Sequence, residues 1–168
     1  LQTNFGGGKT HSMIALHHLA SGVSVQNLPG VAELFAEQET TIPDEINRAV
    51  FVGQAVSPAA PKEVEKGVII STMWGHIAYQ LGGKEAYELV RIADETGTNP
   101  GEGFKKVLQQ NGPAIILIDE WVAYARQLND AGQGARLAGG DFDTQFTFAQ
   151  WLTESAASVD NVVVLISI

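Results

Sequence analysis

Gly6-Gly7-Gly8-Lys9-Thr10 puts three glycines, a cation and a hydroxyl in one unbroken run. A loop that wraps phosphates needs backbone N–H groups turned inward and a main chain that can approach closely, which glycine gives freely. It then needs a helix whose N-terminus points at the anion. The mostly apolar stretch from about His11 to Ala20, stopped by Ser21-Gly22, reads as that helix, and its composition predicts burial on most sides. A lysine directly after the glycines supplies charge for the β- and γ-phosphates, and the next hydroxyl can reach Mg²⁺. These are Lys9 and Thr10, and the nucleotide-binding set is Asn4, Phe5, Gly6, Gly7, Gly8, Lys9, Thr10 and His11. The pattern G-x-x-x-x-G-K-[ST] would place glycine at position 3, where this chain has Thr3. Taken alone, the run is also compatible with a flexible glycine-rich turn whose Lys9 is merely solvated.

A second constellation lies at Ile115-Ile116-Leu117-Ile118-Asp119-Glu120, two carboxylates at the C-terminal end of an apolar run of strand length. Ligands of open α/β sheets bind at such strand ends. There Asp119 can hold the Mg²⁺ coordination sphere and Glu120 can polarise a water that attacks a γ-phosphate. The other reading has Asp119 capping the helix that starts near Trp121, with Glu120 favoured by the same dipole. One strand, Ala49–Val56, separates the glycine run from Asp119. That order looks like the additional-strand, catalytic-Glu division of P-loop NTPases, in which a polar residue at the end of the following strand senses the γ-phosphate. Ser167, in the run 162–168, takes the matching place.

The elements that must hold these groups are legible in outline. Strands are expected at 49–56, 114–118 and 162–167, the last two as continuous apolar runs of the kind a parallel sheet buries on both faces. Helical patterns fall at about Val31–Glu39, Thr72–Leu81, Lys84–Ala93, Gly103–Gln110, Trp121–Asn129 and Phe142–Ser158, with Asp141 placed to cap the last. Gly82-Gly83, the segment 97–101 and the glycine-rich loop 132–140 punctuate them. Strands alternating with helices argue for an α/β layered fold, here a three-layer P-loop NTPase core with a parallel sheet and a helical insertion at about 58–113.

Composition narrows the classes further. The 168 residues contain no cysteine, which excludes a disulfide-stapled module and a Cys-based zinc site and makes a reducing cytoplasm the natural compartment. No apolar run approaches the roughly 18 residues of a membrane helix. Nineteen acids against ten bases give a net charge of −9, with Lys105-Lys106 the only adjacent bases, so no nucleic-acid footprint lies within these residues. The chain starts at Leu1 and stops inside an apolar run, so it reads as a nucleotide-binding core truncated at both ends. The strand that enters the phosphate loop is expected upstream of Leu1, leaving a partial sheet with an unpaired edge.

Four stretches carry a resemblance, the first generic to P-loop proteins and the last two more particular: Gly-Gly-Gly-Lys-Thr-His-Ser at 6–12, Phe51-Val52-Gly53, Thr72-Met73-Trp74-Gly75-His76-Ile77-Ala78-Tyr79-Gln80-Leu81-Gly82-Gly83 and Leu117-Ile118-Asp119-Glu120-Trp121-Val122-Ala123-Tyr124-Ala125-Arg126-Gln127-Leu128. By these the chain resembles a family of large AAA+-type ATPases of bacteria and archaea, often encoded beside adenine-specific DNA methylases in restriction-like or anti-phage gene clusters. The resemblance implies ATP and Mg²⁺ as cofactors, with Lys9 and Glu120 catalytic, Ser167 as sensor, and Thr10 and Asp119 at the metal. It further implies assembly into a homo-oligomer or larger complex, and DNA contacts through regions outside these residues. It does not assign an arginine finger, for which Arg126 and Arg136 are the candidates after the acidic motif. Two other classes stay open: a nucleotide-gated interaction module with negligible turnover, and a P-loop kinase. His11 and His18 lack a visible third metal ligand, and Trp74, Tyr79 and Tyr87 are spaced for packing rather than for stacking bases.

Overall fold

The computed structural model describes residues 7–38, 41–130 and 137–168. Three strands, β1 (Asn47–Val52), β4 (Ala114–Asp119) and β5 (Val162–Ile166), form a parallel sheet in the order β1-β4-β5. Between β1 and β4 the chain makes an antiparallel hairpin, β2 (Lys62–Glu65) and β3 (Val68–Ile70), and three helices, α3 (Met73–Glu88), α4 (Arg91–Thr96) and α5 (Glu102–Gln110). Before β1 come α1 (Lys9–Leu19) and α2 (Val31–Gln38), and between β4 and β5 come α6 (Trp121–Asp130) and α7 (Phe142–Ala157). None of the helices among the described residues is long and apolar enough to cross a membrane.

Strand β4 is central because all six of its residues are buried, which only a strand with neighbours on both edges and cover on both faces allows. Its side chains alternate between two cores. Ala114, Ile116 and Ile118 enter the large one with Phe51, Trp74, Ile77, Phe104, Tyr124, Phe148 and Leu152. Ile115 and Leu117 face the other way and pack with Met13 and Ala20 beneath α1. Helices therefore lie on both faces of the sheet. Aromatic rings interlock on the larger side, Phe51 against Tyr124 at 5.0 Å and Trp74 and Phe104 each against Phe148 at 5.2 and 5.0 Å. Trp74 and Tyr87 are core residues as their spacing predicts, whereas Tyr79 is half-buried and donates its hydroxyl to Glu65.

Three expectations need correction. Helix α1 is not buried on most sides: Met13 is its one buried residue, and Ile14 is 50% exposed, because the helix packs one face onto a small cluster centred on β4. Strand β1 stops at Val52 rather than Val56, since the chain turns there and Ala55 N–H donates back to Val52 O at 2.9 Å. The stretch 58–113 is not wholly helical, because it opens with the hairpin, whose short charged first strand, Lys-Glu-Val-Glu, carries little strand signal. At Gly82-Gly83 helix α3 kinks out of helical geometry, as the paired glycines suggest. Asp141 caps α7, accepting from Thr144 N–H at 2.7 Å.

The two edges of the sheet differ. The amide of Gln80 grips β1 at Val50 with both of its polar atoms, its Oε1 accepting from Val50 N–H and its Nε2 donating to Val50 O, each at 3.0 Å. A side chain thus occupies hydrogen-bonding positions that a further strand would use. Among the described residues β5 pairs with β4 alone, and its Val163 is 53% exposed.

One buried carboxylate organises the helices that flank β1. Asp94, fully buried in α4, accepts hydrogen bonds from Ser71 N–H, Thr72 N–H, Thr72 Oγ1 and the Tyr87 hydroxyl over 2.5–3.2 Å. Thr72 in turn caps α3 by accepting from Gly75 N–H at 3.1 Å. Burial, followed by the charge of Asp94 and its hydrogen bond, holds the Tyr87 hydroxyl well above the ordinary phenol range. A charge-assisted network of this kind is stable only while every member is present. Replacing Asp94 by Ala strands the buried Thr72 N–H and the part-buried Ser71 N–H and opens a void, so Asp94→Ala should lose about 3 kcal/mol in chemical denaturation. A loss below about 1 kcal/mol, the scale of an ordinary point substitution, would show that the network contributes little.

Candidate functional site

The parallel register brings three strand ends to one edge of the sheet. Val52 pairs with Asp119, and Ile166 with Ile118, so the next residues of the outer strands flank the acidic pair. Gly53 N–H donates to Asp119 O and Ser167 N–H to Ile118 O, both at 2.8 Å. Ser167, 2% exposed, is thereby fixed next to Asp119, at the place read for a sensor.

The glycine run meets this row from above. Gly8, at φ 77°, sits in the left-handed region that a side chain disfavours, and it is the N-cap of α1. Helix geometry leaves the N–H groups of Thr10 and His11 directed beyond the first turn, where an anion is favoured. Lys9 opens the helix and is half-buried, whereas His11 is exposed. Asn4, Phe5 and Gly6 lie outside the described residues, as does Arg136.

Glycine run and acidic strand end are joined by one bond. Thr10 Oγ1 donates to Asp119 Oδ2 at 2.8 Å, across 109 positions of sequence. Asp119 uses its other oxygen for Glu120 N–H at 3.1 Å. Its carboxylate is thus shared between the turn that leads into α6 and Thr10 at the start of α1. A hydroxyl and a carboxylate oxygen so placed are both hard donors, the set that suits Mg²⁺. Of the residues predicted for the site, Thr10, Asp119, Glu120 and Ser167 converge here, with Lys9 one position from Thr10. Arg126 lies on the exposed side of α6.

Glu120 is exposed and adopts φ 55°, uncommon for a residue with a side chain. The left-handed step turns β4 into α6 within one residue, and Ala123 N–H and Tyr124 N–H donate to Glu120 O at 3.1 and 3.3 Å. Below Thr10 and Asp119 a cleft of about 370 Å³ runs between α1 and β1, walled by Met13, Ile14, Val50, Val52 and Leu117 with His17 and His18. Burial, then Arg48 and His18, hold His17 below the ordinary imidazole range. Gly53 was visible in the sequence only as part of a recognisable string; its contact with the acidic turn is a product of the register. Among the described residues, no three histidine or carboxylate side chains gather as a metal-binding cluster.

Residues 1–168 match the family described as the DUF499 N-terminal domain, and the chain belongs to that family. No curated protein and no solved structure matches it.

The bond between Thr10 and Asp119 makes a thermodynamic prediction that needs no ligand. Thr10→Val and Asp119→Asn should each weaken the nucleotide-free fold, and the double variant should fall short of their sum by about 1 kcal/mol in denaturant titration. Strict additivity would mean that the two side chains are not coupled.

Proposed function

We propose that this chain is the nucleotide-binding core of a Mg²⁺-dependent ATPase of P-loop type, in the additional-strand, catalytic-Glu division. The observation that carries the reading is the Thr10–Asp119 hydrogen bond, because it joins the two motifs that such chemistry requires at one point in space. The left-handed Gly8 at the N-terminus of α1 supports a phosphate site there. The order β1-β4-β5, with a strand between the glycine run and the acidic strand, supports the division.

The residues fit the group they would hold. Gly6, Gly7 and Gly8 would give backbone N–H groups to the β- and γ-phosphates, with Asn4, Phe5 and His11 bordering the nucleotide. Lys9 would add its ammonium to the γ-phosphate, favouring the charge that builds up on transfer. Thr10 would release Asp119 and turn its hydroxyl oxygen to Mg²⁺, while Asp119 would hold the outer coordination sphere. Bound there, Mg²⁺ neutralises phosphate charge. Glu120, exposed at the strand end, would accept a proton from the attacking water and orient it. Ser167 would contact the γ-phosphate from the adjoining strand end.

The resemblance to ATPases encoded beside DNA methylases extends the proposal to a cytoplasmic, DNA-associated or anti-phage protein acting as an oligomer. With net charge −9, these residues are not the ones proposed to touch DNA.

Phosphate release by the full-length protein tests the reading. Glu120→Gln should keep ATP binding and lose turnover by roughly 10²- to 10⁴-fold, the usual contribution of a general base, whereas Lys9→Ala should lose binding itself. Unchanged turnover in Glu120→Gln would remove the mechanism, and tight binding without any wild-type hydrolysis would leave a nucleotide-gated module.

A further inference from the structure

The end of β1 does more than border the acidic motif. Gly53 follows Val52, the residue paired with Asp119, and its N–H donates to Asp119 O at 2.8 Å. A Cβ on Gly53 would lie 2.1 Å from Glu120 O and 2.9 Å from Glu120 C, with Tyr124 Cβ at 3.0 Å. The two nearest atoms are backbone, so no side-chain rotation could relieve the clash. The carbonyl of Glu120 therefore fills the space that a side chain at position 53 would take.

That carbonyl belongs to the residue in the left-handed conformation, at φ 55°. It points toward Gly53 and at the same time accepts from Ala123 N–H and Tyr124 N–H at the start of α6. From the same helix Gln127 reaches back, its Nε2 donating to Gly53 O at 3.3 Å. Gly53 is thus held from both sides: its N–H by the residue before Glu120, and its carbonyl by the helix after it. The direction in which the Glu120 side chain leaves the backbone depends on this turn, and the turn exists only where residue 53 has no side chain.

We propose that Gly53 is a positioning residue for Glu120, and that Gln127 assists it by tying α6 to the end of β1. The inference rests on the ATPase reading, in which Glu120 orients the attacking water. A displaced carboxylate should spare nucleotide binding, since Glu120 is not among the residues proposed to hold the phosphates, and should slow turnover, because misplacing a catalytic group by about 1 Å can cost on the order of 100-fold.

The test uses the full-length protein and compares Gly53→Ala, Gln127→Ala, Glu120→Gln and the double variant Gly53→Ala/Glu120→Gln. Gly53→Ala should lower kcat by roughly 10- to 100-fold, with the Kd for a fluorescent ATP analogue within about twofold of wild type, as expected when only transition-state interactions are lost. In the Glu120→Gln background the same substitution should have no further effect on turnover, a non-additivity that general loss of structure would not produce. Wild-type kcat in Gly53→Ala, or a full additional loss in the double variant, overturns the proposal. If Gly53→Ala does not fold, Gln127→Ala decides: a severalfold fall in kcat at unchanged Kd supports it, and wild-type kcat, or kcat and binding falling together, overturns it. Failure of the ATPase reading is recognised separately, by wild-type protein that does not hydrolyse ATP or is indifferent to Glu120→Gln.

Discussion

Burial of β4 on both faces and along both edges is the constraint from which the rest of the arrangement follows. Six successive buried residues cannot lie at the rim of a sheet, so β1 and β5 must flank them, and helices must cover both sides. Parallel pairing then fixes which residues meet at the end of the strand. Because Val52 lies opposite Asp119 and Ile166 opposite Ile118, Gly53 and Ser167 have no other place than beside the carboxylates. The glycine run arrives at the same point because Ile115 and Leu117, on the second face of β4, pack with Met13 and Ala20 of the α1 segment. Packing of apolar residues in the middle of the strand thus sets the distance between Thr10 and Asp119 at its end.

Much of this was legible in the residues themselves. The helix start after the glycines, the apolar strand ending in two carboxylates and the cap at Asp141 each have a local cause, a short string of residue types that suffices to produce the feature. What escaped depends on partners distant in sequence. Asp94 reads as an ordinary surface acid on a short helix, and only the folded chain gathers Ser71, Thr72 and Tyr87 around it. Burial of the helix after the glycine run was over-read, since an apolar composition says nothing about how wide the covering surface is. The hairpin at 62–70 was missed because β2 is mostly charged and β3 has three residues. The left-handed Glu120 and the close approach of Gly53 are properties of a turn shared by two strands, and no window of a single strand contains them.

The edges of the sheet carry a related lesson. Gln80 closes β1 with a side-chain amide, both of its bonds going to Val50. The string that contains Gln80 looked distinctive because of its aromatics and glycines. Its roles in the fold are structural: Trp74 fills the core, Gln80 blocks an edge and Gly82-Gly83 bends the helix. The groups proposed to carry chemistry lie at the strand ends and in the loop above them, while the residues of this string shape the scaffold. Membership of the DUF499 family fits this division, since a family is recognised by its scaffold as much as by its site.

The central claim is that Thr10 and Asp119 face each other because both serve a metal-bound triphosphate. A crystal structure of the full-length protein with Mg²⁺ and a non-hydrolysable ATP analogue tests it most directly. The account predicts phosphates cradled by Gly6–Thr10, the hydroxyl of Thr10 turned from Asp119 to the metal, and the Asp119 carboxylate close behind it. Nucleotide bound elsewhere, with Thr10 still donating to Asp119 at 2.8 Å, would contradict it.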